Sequence, residues 1–171
     1  MHAVATGEST ALRELCGRYE RPLYGFLHRA ADGREVDDLY QETWLRVVRS
    51  ARSFDPARRF STWLFQIALN LCRDLRRRSI PVPTADHDLD AAQLRDSSAH
   101  GGEARDATLD VARLLAALRL GQREVVLLRV LHDASEEEAA EILGCPRGTV
   151  KSRLHHGLAR LAALVRPEVA S

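Results

Sequence analysis

Residues 135–154, SEEEAAEILGCPRGTVKSRL, decide the fold. Ser135 and Glu138 stand three apart, so the hydroxyl can accept a backbone N–H at a helix start while the carboxylate reaches back to another. Ala139, Ala140, Ile142 and Leu143 give the helix that follows one apolar side. Gly144 suits the positive φ of a helix end, and Pro146 suits the first turn of the next helix. A short capped helix, a three-residue turn containing glycine and a longer helix together predict a helix-turn-helix.

The second helix carries Arg147, Lys151, Arg153, Arg160, Arg166 and the pair His155–His156, with no acid from Arg147 to Arg166. At the helical period, Arg147, Gly148, Lys151, Ser152 and His155 share a face away from the apolar stripe of Val150, Leu154, Gly157, Leu158, Leu161 and Val165. That face offers donors to base edges, and Gly148 and Ser152 let the helix sit deep in a major groove. Arg153 and Arg160 lie towards the flank, where phosphates add affinity without reading sequence. The alternative is a solvated basic face. A zinc site at His155 and His156 is disfavoured, because neighbours on a helix point about 100° apart and no further ligand lies close in sequence.

Upstream, helical periodicity dominates and no segment alternates like a strand. Val36, Leu39, Tyr40, Thr43, Trp44, Val47, Val48 and Ala51 form one apolar stripe, opposite Asp37, Asp38, Gln41, Glu42, Arg46 and Arg49. A second runs Trp63, Leu64, Ile67, Ala68, Leu71, Cys72, Leu75. An earlier one runs Leu12, Leu15, Tyr19, Leu23, Phe26, Leu27, with Pro22 predicting a kink or a helix start. The pattern stops at Ser79. Pro81, Pro83, Ser97, Ser98, Gly101 and Gly102 among scattered aspartates read as a linker, too long for a loop inside one domain. The expected architecture is all-α: two small helical domains, 1–78 and 108–171, joined by a flexible linker at 79–107.

Charge follows the same division. Residues 1–78 hold 14 arginines against 10 acids, 79–110 hold 2 against 7, and 111–171 hold 9 basic residues against 7 acids. Two basic modules around an acidic connector suit a polyanionic partner. Cys16, Cys72 and Cys145 form no C-x-x-C pair, arguing for small core residues in a reducing compartment. No signal peptide opens the chain and no apolar run nears the roughly 20 residues of a membrane span, so a cytoplasmic protein without membrane insertion is expected. No cofactor or metal is expected either.

Two constellations carry a resemblance. Asp37-Asp38-Leu39-Tyr40-Gln41-Glu42-Thr43-Trp44, Ser53-Phe54-Asp55-Pro56, Phe60-Ser61-Thr62-Trp63-Leu64, and Ala68-x-Asn70-x-x-x-Asp74-x-x-Arg77 resemble conserved region 2 of bacterial sigma factors. Gln122-Arg123-Glu124-Val125 and the stretch Glu138 to Leu154 resemble their region 4. With only those regions and a linker between them, the chain is similar to the extracytoplasmic-function group of the sigma-70 family. The chain departs from that pattern where Arg119 replaces a frequent proline, and where Glu136 and Ala139 replace an aromatic and a β-branched residue.

The resemblance implies a subunit that binds core RNA polymerase, recognises the −10 and −35 promoter elements and directs initiation. It implies that Asp38, Gln41 and Glu42 dock on the clamp helices of the largest subunit. It implies that Arg58 and Phe60 of a loop, with Asn70, Arg73, Arg76 and Arg77 of the next helix, take the −10 element, where cations hold phosphates and a ring receives an unstacked base. Arg147, Thr149, Lys151, Ser152, Arg153 and His155 would take the −35 element. A flap of the second-largest subunit, promoter DNA and an anti-sigma factor are the implied partners. The two elements lie on the order of 60 Å apart. The linker of about 29 residues reaches roughly 100 Å extended but averages only about 30 Å as a coil, so it must be held stretched.

Two other classes compete. One is a polymerase-independent helix-turn-helix regulator, against which the Asp-Leu-x-Gln-Glu run and the basic helix end at 73–78 speak. The other is an enzyme using His87, His100, His155 or His156, but no Walker motif, H-E-x-x-H or G-x-S-x-G is present.

Overall fold

The computed structural model describes residues 1–79 and 111–165, and every regular element among them is helical. Apart from Ser79, the linker at 79–107 lies outside the described residues, with His87 and His100. The chain splits into two compact units.

The first group comprises α1 (His2–Ala5), α2 (Ser9–Ala30), α3 (Val36–Arg49) and α4 (Phe60–Ser79). Helices α2, α3 and α4 pack pairwise, while α1 leans on α2 and on a 3₁₀ turn at Ala51–Ser53. The apolar stripes meet along much of their length, although Leu12, Leu15, Tyr19, Trp63 and Ile67 are only half-buried and Phe65 and Leu69, outside the expected stripe, join the core. Leu23, Phe26 and Leu27 of α2, Leu39, Trp44 and Val47 of α3, and Leu64, Phe65, Ala68, Leu69 and Cys72 of α4 are all buried. Phe26 and Phe65 meet edge-on with centroids 5.2 Å apart, as ring quadrupoles favour. Thr43 is buried too, and its hydroxyl donates to the Leu39 carbonyl at 2.7 Å, which satisfies it inside the core.

Several expectations need correction. Pro22 lies inside α2 and marks no helix start; its ring faces solvent, and burial of Leu23, Phe26 and Leu27 holds the helix on. The third helix ends at Arg49, two residues early, because the chain tightens into the 3₁₀ turn that buries Ala51. Phe60 opens α4 and does not belong to the preceding loop. Val48 is 43% exposed, since it falls about 100° from the centre of the buried stripe at the helical period. Of the three cysteines only Cys72 is buried, whereas Cys16 and Cys145 are half-buried.

The second group opens with helical residues 111–116, labelled α5, followed by α6 (Leu120–Val126), α7 (Glu136–Leu143) and α8 (Arg147–Val165). Helix α6 continues into a π-helical turn at Leu127–Leu131, which periodicity does not foretell. Leu115, Leu118, Val125, Val126, Leu127, Leu128, Ala139, Ile142 and Val150 are buried. Helices α6 and α8 approach closely at Gly157, where a Cβ would sit 3.1 Å from Val126 Cγ2. Leu158 and Val165, assigned to the apolar stripe of α8, are 44% and 62% exposed. Both lie on the Arg147 side of the helix, well round from the buried line of Val150 and Gly157.

The predicted turn chemistry forms as expected. The Ser135 N–H donates to Glu138 Oε2 at 2.7 Å, and the Glu138 N–H donates to Ser135 Oγ at 3.1 Å: a capping box. Gly144 adopts φ +67°, and the Cys145 N–H returns to the Ala140 carbonyl at 3.1 Å, closing α7 in the Schellman manner. Pro146 precedes α8, and its carbonyl accepts the Thr149 N–H at 2.9 Å.

Candidate functional site

Three surfaces hold the residues singled out by sequence. On α3, Asp38 and Gln41 are exposed and Glu42 half-buried on the face away from the core. Glu42 already accepts from Arg46 at 3.1 Å, with Arg49 at 3.8 Å, so its charge is shared with its own helix. Asp37 accepts the Tyr24 hydroxyl at 3.0 Å, and that bond to an anion holds the tyrosine pKa above its ordinary value. Burial pushes the Cys16 thiol and the Tyr40 hydroxyl up as well, so Cys16 is a poor nucleophile at neutral pH.

The second surface joins the loop after α3 to α4. Asp55-Pro56 builds a turn: the Asp55 carboxylate accepts the Ala57 N–H at 2.9 Å, and its carbonyl accepts the Arg58 N–H at 3.0 Å. Arg58 then donates to Gln66 Oε1 at 3.0 Å, which ties the loop to α4. Phe60 stands in an aromatic cluster, 5.3 Å from Tyr19, 6.1 Å from Phe54 and 6.0 Å from Trp63 by ring centroids. It is half-buried, so one part of the ring is committed to packing. Asn70 and Arg77 are exposed, Arg73 and Arg76 half-buried. At the helical period Asn70, Arg73 and Arg77 share one face of α4 while Arg76 flanks the core. Asp74 lies 3.9 Å from Arg77.

The third surface is α8. Arg147, Gly148, Lys151, Ser152 and His155 are all exposed, as the wheel requires, and a Cβ on Gly148 would meet no atom within 4 Å. Thr149 is half-buried. Arg153 is half-buried towards α6: its guanidinium carbon lies 3.1 Å from where a Cβ on Gly121 would stand. Arg147 is bridged to two acids of α7, Glu136 at 3.5 Å and Glu137 at 2.7 Å. Among the described residues no group of three or more His, Cys, Asp or Glu could hold a metal ion, and no helix is long and apolar enough to cross a membrane.

Family models match both parts of the chain: sigma-70 region 2 over residues 15–79 and sigma-70 region 4 over residues 108–161. The ECF RNA polymerase sigma factor SigC of Mycobacterium tuberculosis is 30% identical over 166 residues, covering 97% of this chain and 89% of the relative. SigW of Bacillus subtilis, another ECF RNA polymerase sigma factor, is 30% identical over 178 residues, covering 95% and 93%. The chain belongs to the extracytoplasmic-function sigma factors. Among solved structures, that of CnrH in complex with the cytosolic domain of CnrY aligns with TM-score 0.75 and 30% identity, covering 96% of this chain and 93% of that one; CnrH is an RNA polymerase sigma factor of Cupriavidus metallidurans.

The outer face of α3 also holds an apolar residue that the charge pattern masks. Leu45 is 48% exposed and sits amid Asp38, Gln41, Glu42 and Arg49, with Val48 beside it. The signal was present: at the helical period Leu45 falls about opposite the buried stripe.

Proposed function

We propose that this sigma factor divides its work between its two halves. Residues 1–78 bind core polymerase and take the −10 element, residues 108–171 read the −35 element, and residues 79–107 tether them. Asp38, Gln41 and Glu42, around an apolar patch of Leu45 and Val48, dock on the clamp helices of the largest subunit. Arg58 and Phe60, with Asn70, Arg73, Arg76 and Arg77, hold the −10 strand as it separates. Arg147, Thr149, Lys151, Ser152, Arg153 and His155 meet the −35 duplex, and the exposed Val130 and Leu131 offer apolar surface to the flap of the second-largest subunit.

The observation that carries this reading is the exposed face of α8. Arg147, Lys151, Ser152 and His155 project from a helix-turn-helix with Gly148 open between them, and the described part of that helix bears no acid. Such a face fits a groove lined by acceptors and flanked by phosphates. The protein does no chemistry of its own and works in the cytoplasm. CnrH is seen in complex with the cytosolic domain of CnrY, and we infer that an anti-sigma factor likewise binds this chain and covers its docking surfaces.

The test uses two substitutions. Glu42→Ala is expected to weaken association with core polymerase, and Arg147→Ala to lower transcription from cognate promoters while leaving that association intact. Normal initiation by both variants would overturn the assignments.

A further inference from the structure

The Arg147 guanidinium is not simply displayed at the head of α8. Its two terminal nitrogens are engaged by different carboxylates, Nη2 by Glu136 at 3.5 Å and Nη1 by Glu137 at 2.7 Å. Both acids come from the first turn of α7, so the bridge crosses the turn of the helix-turn-helix. Those terminal nitrogens belong to the edge an arginine uses to bond guanine O6 and N7. Any DNA group that takes Arg147 must displace or share these carboxylates.

Two kinds of DNA group compete for an arginine at that position. A phosphate is an anion and is repelled by Glu136 and Glu137 as it approaches Arg147. The guanine edge is neutral and meets no such repulsion. The acids therefore tax backbone engagement more heavily than base engagement. Arg147 and Glu137 are exposed and Glu136 is half-buried; ion pairs with an exposed partner are weak and exchange readily, so the clasp yields to a correctly placed base. Helix-dipole complementarity explains acids in a first turn, and Glu138 is used in the capping box. Neither accounts for two further carboxylates converging on one guanidinium.

We propose that Glu136 and Glu137 are specificity-determining positioning residues, which withhold Arg147 from the phosphate backbone so that it reports one guanine of the upstream element. This rests on the reading of α8 as the −35 helix. The test compares holoenzymes carrying wild-type protein, Glu136→Gln/Glu137→Gln, Glu137→Gln alone and Arg147→Ala on a promoter library randomised across the upstream element, with binding measured against salt. Glutamine keeps the side-chain length and helix propensity, and thermal melting of each variant checks that the helix-turn-helix still folds.

In the double variant, binding to mismatched upstream elements is expected to rise about 3–10-fold. Base preference should flatten at the one position that Arg147→Ala also flattens, and the logarithmic salt slope should steepen by about one phosphate contact. Glu137→Gln alone should show a smaller change of the same sign. If Arg147→Ala flattens one position but the double variant keeps the wild-type preference and salt slope, the clasp is wrong and the α8 reading stands. If Arg147→Ala flattens no position, the α8 reading fails at this residue and takes the clasp with it.

Discussion

The outer faces of α3 and α8 are both polar, yet they dispose of charge in opposite ways. On α3 two of the three acids already have partners at home: Glu42 with Arg46 and Arg49, Asp37 with Tyr24. The middle of that face is the exposed Leu45. On α8 the cations stand on a helix whose described residues include no acid, and the carboxylates that meet Arg147 come from the neighbouring helix. A protein partner offers discrete charges and apolar pockets, so a mixed face with an apolar centre suits it. A duplex offers a dense, repeating negative charge, for which a helix that bears cations and no acid of its own is the better match. The interiors differ as well. Phe26, Phe65 and Trp44 fill the first unit, whereas the second brings α6 onto α8 by leaving Gly157 without a side chain.

The interiors provide the harshest way to break this contrast. Phe26→Ala should cost about 3–5 kcal/mol in the first unit. Both tryptophans, Trp44 and Trp63, lie in that unit, so fluorescence-detected denaturation reads it selectively. Gly157→Leu should cost about 1–3 kcal/mol by overpacking against Val126, visible in the far-UV circular dichroism of the second unit but not in the tryptophan transition. If each substitution shifts both signals together, the units do not unfold separately and the comparison fails.

The faces can be separated next. Leu45→Asp should weaken association with core polymerase about tenfold, equivalent to about 1.4 kcal/mol, while leaving the sequence preference of the holoenzyme unchanged. Lys151→Ala should do the reverse. Promoter binding should fall with little change in core association, and the logarithmic salt slope should drop by about one if Lys151 touches a phosphate. Core association measured by fluorescence polarisation and promoter binding measured by filter retention distinguish the two.

How far these features were legible in the sequence follows from what kind of physics fixes them. The capping box, Gly144 and the position of α8 were all readable because each rests on residues within four of one another, where local hydrogen bonding dominates. The apolar stripes were readable at their centres and wrong at their edges: Val48, Leu158 and Val165 satisfy the spacing loosely but fall round the helix from the buried line. Of the two outcomes that Pro22 allows, a kink or a helix start, the start does not occur, because the helix is held on by the burial of Leu23 and Phe26. The π turn at Leu127–Leu131 and the packing of Arg153 over Gly121 depend on which helices meet, and spacing along one helix carries no information about that. The Arg147 clasp was hidden for the same reason, since its three residues look like unrelated charges until the turn folds.

The smallest effect is expected where two residues share one backbone conformation. Gly144 after α7 and Glu35 before α3 both have positive φ, +67° and +49°, but only one of them is glycine. A side chain in the left-handed region costs about 1–2 kcal/mol, so Glu35 is held there by the start of α3, where its carbonyl accepts the Leu39 N–H at 2.9 Å. Glu35→Gly removes that strain but enlarges the freedom of the unfolded chain, which takes back about 0.4–1 kcal/mol. Glu35 makes no side-chain cap to its helix, and Asp37 and Asp38 still place negative charge in the first turn. The net result should be a gain below about 1 kcal/mol, read as a small upward shift of the tryptophan-detected midpoint. Gly144→Ala should move the second unit the other way by about 1 kcal/mol, because it introduces the strain that Glu35 already bears. A clear loss of stability in Glu35→Gly would mean that the Glu35 side chain, and not the chain reversal, holds the entry to α3.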